Sequence, residues 1–132
     1  MSALVLRTCR ADMTSHDGFR WPESGPVEAP NWNPEPICGG GLHGLLWGEG
    51  DGSLLCWEPD AKWLVVRVEA WVDLIGKVKF PRGEVLFAGE RDEATRRVVD
   101  GGMCRVRTQE LQNLSNFHLA MRKLVEASET SS

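Results

Sequence analysis

Cys38, His43 and Trp47 are the residues of this chain whose types and spacing could do chemistry together: a thiol, a titratable ring and a flat apolar surface. They punctuate Ile37-Cys38-Gly39-Gly40-Gly41-Leu42-His43-Gly44-Leu45-Leu46-Trp47-Gly48. Seven of the fifteen residues from Cys38 to Gly52 are glycine, half of the chain's 14. Glycine permits backbone conformations that a Cβ forbids and lets other groups approach the main chain closely. A thiol and an imidazole are the right pair for a nucleophile with its base, or for half of a zinc site. The remaining candidates, Cys9, His16 and Cys56, lack the tight pairing of a metal site, so no catalytic residue and no metal ligand is assigned. Gly39 to Gly44 also fits G-x-G-x-x-G. A dinucleotide loop needs a buried strand before that pattern and a long helix after it. Pro34 and Pro36 deny the strand, and Gly44, Gly48, Gly50 and Gly52 deny the helix. What survives is a non-helical loop whose backbone N–H groups could cradle an anion.

Six Trp, four Phe and no Tyr make an unusual aromatic balance. Trp63 and Trp71 fall in strand-like sequence and belong to a core sheet. Trp21, Trp32 and Trp47 lie in irregular segments near the glycines, where a ring could stack on a planar ligand. Lys77, Lys79 and Arg82 flank a turn, with a solvated strand face as the plainer reading of the three. The candidate ligand-binding residues are therefore Gly41, His43, Gly44, Trp47, Trp21, Trp32 and Arg82. Nothing calls for a cofactor.

The elements that must position these groups read as follows. Residues 2–8 form a first strand, from the apolar run Ala3-Leu4-Val5-Leu6. Residues 22–36 hold five prolines, which removes helix and central strand and leaves a long wrapping loop. Residues 63–70 are the clearest strand, β-branched and apolar. Residues 78–80 and 84–88 flank Pro81-Arg82-Gly83 like a hairpin. Residues 90–99 suit a short helix stopped by Gly101-Gly102, Cys104 to Arg107 a further strand, and 108–127 an amphipathic helix with Leu111, Leu114, Phe117 and Met121 on one stripe. The expected architecture is an α+β domain over residues 1–127, a mostly antiparallel sheet with both helices packed on it, and a disordered tail at 128–132. Loops 10–36 and 37–56 cover one face or edge.

At 132 residues the chain is long enough for a real core. A net charge of −4 argues against general nucleic-acid binding. Residues 1–60 carry three Lys/Arg against nine Asp/Glu, and residues 61–132 twelve against ten, so an anion finds its support in the second half. No apolar run approaches the roughly 18–20 residues that span a bilayer, and Arg7 cuts short any signal-peptide core. Four scattered cysteines suit free thiols. These features predict a cytoplasmic protein without membrane contact.

Cys38-Gly39-Gly40-Gly41-Leu42-His43-Gly44, with Cys9-Arg10-Ala11-Asp12-Met13-Thr14, Gly18-Phe19-Arg20-Trp21-Pro22 and Gly76-Lys77-Val78-Lys79-Phe80, resembles a family of small uncharacterised proteins from bacteriophages and their bacterial hosts. The resemblance covers residues 4–100 and brings no established activity. It implies a phage context, in the host cytoplasm, where small acidic proteins block or sequester host factors. Combined with the loop and the tryptophans, the expectation is a non-enzymatic counter-defence factor that sequesters a small nucleotide-like ligand. One alternative is a protein–protein inhibitor of a host defence complex, anti-CRISPR-like, acting through its acidic surface or last helix. The other is a small enzyme using Cys38 and His43. The expected partner is the nucleotide-like ligand or a host protein, with the last helix also available for homo-oligomerisation.

Overall fold

A computed structural model describes residues 2–103. The chain divides into two compact units, Met1–Asp100 and Gly101–Ser132. Among the described residues the fold is α+β and mostly sheet: β1 (Ala3–Cys9), β2 (Gly25–Glu28), β3 (Leu42–Leu46), a 3-10 turn (Gly52–Leu54), β4 (Lys62–Val68), β5 (Val72–Leu74), β6 (Lys77–Phe80) and β7 (Arg82–Gly89). Residues 91–103 are helical and are called α1. The strand expected at Cys104 to Arg107, the helix at 108–127 and the tail at 128–132 lie outside the described residues.

The seven strands form one sheet in the order β2-β7-β4-β1-β3-β6-β5, every pairing antiparallel. Its centre is the pair predicted from apolar runs: β1 and β4 match from Ala3↔Val68 to Cys9↔Lys62. Successive side chains alternate across the sheet. One face of this pair therefore carries Ala3, Val5, Leu64, Val66 and Val68, which join Leu42, Val78, Phe80 and Val85 in the larger buried cluster. The other face carries Leu6, Trp63 and Val65, closed by Ala94 and Val98 of α1.

Three elements differ from the sequence expectation. The hairpin at residues 78–88 does not form: β6 pairs with β3 and β5, while β7 pairs with β2 and β4. Only Pro81 separates β6 from β7. The path β7-β4-β1-β3-β6 therefore has to roll until its outer strands meet at that corner, with the larger cluster inside. The proline-rich segment contributes β2, at the sheet edge beside β7, the place where a strand tolerates a proline such as Pro26. The glycine-rich stretch contributes β3, where Leu42, Gly44 and Leu45 are buried. A Cβ on Gly44 would collide with Val5 Cγ1 and lie 3.1 Å from Leu6 O, so this glycine serves close packing rather than loop freedom. Further on, α1 passes through Gly101 and Gly102, since glycine weakens a helix without forbidding it. No helix among the described residues is long and apolar enough to cross a membrane.

Candidate functional site

β1 runs to Cys9 and β3 begins at Leu42, yet the two pair only at Val5↔Leu46 and Leu6↔Leu45. Beyond Leu6 the paired register ends, and a cleft of about 460 Å³ is lined by residues of both strands there. Arg7, Thr8, His43 and Gly44 line it from the strands, Cys38 to Gly41 from the glycine segment, and Phe19 and Trp21 from the loop after β1.

Arg7 holds the split together. It occupies the β1 face otherwise taken by Ala3, Val5 and Cys9, all buried. Its Nε and Nη2 donate to Thr8 O at 3.3 and 3.1 Å, and Nη1 donates across the gap to His43 O at 3.0 Å. The guanidinium thus ties β1 to β3 where their paired register has ended. Its flat face lies 4.2 Å from the centre of the Trp21 ring. Burial pulls its pKa down to about 10, partly opposed by the charges of Cys9 and Asp17.

Trp21 is placed by backbone hydrogen bonding. Arg10 N–H donates to Thr14 O, Ser15 N–H to Phe19 O, and Trp21 N–H to Met13 O. Two side-chain turns brace this loop: Asp12 accepts from Thr14, and Asp17 from the Ser15 hydroxyl and Phe19 N–H. Trp21 is 2% exposed, and its Nε1–H has no acceptor among the described residues.

The opposite wall is the glycine segment. Gly39 and Gly40 both have positive φ, 93° and 64°. That turn lets Gly39 N–H donate to His43 Nε2 at 3.3 Å while Gly39 O accepts from Lys79 Nζ at 3.1 Å. Lys77 Nζ stands 3.1 Å from Cys38 Sγ. Burial first, then the charges of Lys77, Arg7 and Lys79, push the His43 imidazole down to about 4. Cys38 and His43 are therefore engaged by separate partners, Lys77 and Gly39.

Of the residues predicted from sequence, Gly41, His43, Gly44 and Trp21 converge on this cleft. Trp32 lies outside it, its ring 5.6 Å from Lys79 Nζ and against the position a Gly41 Cβ would take. Trp47 packs on the larger cluster at φ 57°, its N–H donating to Leu4 O. Arg82 starts β7 opposite Glu28, exposed. Lys79, read as a solvated face, has no exposed surface. Arg7 was missed. Its signal was positional: an arginine on the alternating buried face of an otherwise apolar strand.

The described residues thus form a rolled antiparallel sheet with a basic cleft between two of its strands. The chain belongs to a family described as a domain of unknown function (DUF7666), matched over residues 3–95. It is similar to an ice nucleation protein of Xanthomonas campestris pv. translucens, 46% identical over 95 residues, which are 69% of this chain and 6% of that protein. Ice nucleation protein InaU of Pantoea ananas is 43% identical over 95 residues, 69% and 9%. An ice nucleation protein of Pseudomonas syringae is 46% identical over 98 residues, 70% and 8%. The chain spans less than a tenth of the length of these relatives. No solved structure matches. These findings correct the resemblance to small bacteriophage proteins, and with it the counter-defence, nucleotide-sequestering and defence-inhibitor readings.

Proposed function

We propose that this chain is a non-templating module of the ice-nucleation type of protein, a non-repetitive domain that accompanies an ice-active remainder and fixes how it is held. The observation that supports this reading is a disproportion: identity of 42–46% runs over about seventy percent of this chain, yet covers only 6–9% of each relative. A surface that orders enough water to start a crystal has to be broad and periodic. This sequence has no internal repeat, and a rolled sheet offers little flat area. Cys38 is an exposed thiol in no disulfide among the described residues, which favours a reducing compartment and supports the cytoplasm as the place where the module folds.

Droplet freezing tests the reading. The purified chain should leave droplets freezing at the temperature of buffer alone. A relative whose matching segment is replaced by this chain should nucleate at its own usual temperature, whereas deletion of that segment should lower it. Freezing by the isolated chain as warm as by a whole relative would overturn the proposal, as would a replacement indistinguishable from the deletion.

A further inference from the structure

The ion pairs among the described residues lie away from the cleft, at Arg67–Glu84 and around Arg91, Glu93, Arg96 and Arg97. Arg7, Lys77 and Lys79 pair with no carboxylate among the described residues. Their hydrogen-bond partners are the carbonyls of Thr8 and His43 for Arg7, the Cys38 sulfur for Lys77 and, for fully buried Lys79, whose Nζ also lies over the Trp32 ring, the Gly39 carbonyl. Charge withdrawn from water is costly without a counter-charge; Lys79 is fully buried behind the split, and the partly exposed Arg7 and Lys77 line it. A guanidinium has five N–H donors. Three of them are engaged here, which leaves two. Trp21 adds a buried indole N–H with no acceptor. Asp17 also lines the cleft and its charge acts on Arg7, while its carboxylate accepts from the Ser15 hydroxyl and Phe19 N–H.

We propose that the split between β1 and β3 is a binding site for a carboxylate carried on an apolar body, with Arg7 and Lys77 supplying charge and Trp21 Nε1–H a directed donor. The planar fork of Arg7 matches a carboxylate's two oxygens. The apolar walls from Phe19, Trp21, Pro30 and Leu54 and the volume of about 460 Å³ exceed what a bare inorganic ion fills, and suit an acidic side chain of a polypeptide or a small organic acid. Lys79 lies behind the glycine segment and adds charge without lining the cleft. The site would bind whether or not the module serves ice nucleation.

Nuclear magnetic resonance titration of the full chain, following the Trp21 indole N–H signal assigned with Trp21→Phe, tests this directly. 3-Phenylpropionate and acetyl-Leu-Glu-Leu-amide should each move the signal downfield and saturate, while 3-phenylpropionamide should not. Tighter binding of the peptide places the carboxylate on a polypeptide; tighter binding of 3-phenylpropionate places it on a free acid. Arg7→Gln should abolish the shift, and Lys77→Gln, which leaves the strand carbonyls satisfied, should weaken it roughly two- to fivefold. If Arg7→Gln fails to fold, Lys77→Gln together with weakening by added salt decides the matter. No saturable shift, an equal shift with the amide, or tenfold tighter binding of phenyl phosphate would overturn the proposal.

Discussion

His43 gives the single-residue scale its clearest prediction, because its pH dependence has a definite sign. In the unfolded chain its imidazole titrates near 6.5, and in the fold at about 4. Between those values the unfolded chain binds the additional proton, so stability rises with pH across that window. The stabilising contribution is complete above pH 6.5, shrinks as pH falls and is gone below 4. The carboxyls of Asp12, Asp17 and Asp51 act in a separate, lower window. Hydrogen bonds from Thr14, Ser15 and Ser53 hold each below its ordinary 3.8, so their contributions are present above 3.8 and lost only in stronger acid. Melting temperatures measured from pH 7 to pH 4 should fall for the parent and fall less for His43→Gln. A difference between the two proteins that stays constant over that range would show that the fold does not hold the imidazole neutral.

Strands and turns set the next scale, where Gly44 distinguishes close packing from loop freedom. Gly44→Ala drives a methyl into Val5 and against Leu6 O, an overpacking that should cost about 1–3 kcal/mol. Gly52→Ala is the control: its nearest neighbour would be Trp57 Cζ2 at 3.9 Å, so its stability should stay within about 0.5 kcal/mol of the parent. Urea midpoints read both. Equal midpoints for the two variants would mean β1 and β3 do not meet where Gly44 places them. The same residue explains how much of the fold was legible. β1 and β4 declared themselves through apolar runs that need no partner to be recognised. β3 did not, because glycine density has two causes, backbone freedom and backbone contact, and only the neighbouring strand tells them apart. The β6–β7 path was misread for a similar reason: Pro81-Arg82-Gly83 has turn composition, but pairing on both sides with other strands pulls the chain across a corner instead. At the cleft, His43 and Trp21 were legible by type. Arg7 required knowing which face of β1 was buried, and Trp32, Trp47 and Arg82 shared only residue type with the site, not position.

Over the whole molecule, three boundaries nearly coincide. The family match ends at residue 95, the last strand among the described residues at Gly89, and the first compact unit at Asp100. Among the described residues, both buried clusters end at Val98. In the relatives the matched segment is 6–9% of the chain, so more than nine-tenths of each is other sequence. A segment used that way has to carry its own core, and about 100 residues is enough to do so without metal or disulfide support. A chain ending at Asp100 should therefore unfold in one cooperative transition, with a melting temperature within about 5 °C of the full chain, the shift that roughly 1 kcal/mol produces at this size. Every described residue that lines the cleft belongs to that unit, so the shortened chain should also keep whatever carboxylate binding the full chain has. A broad, non-cooperative melt of the shortened chain would instead mean that the sheet depends on residues beyond its own boundary.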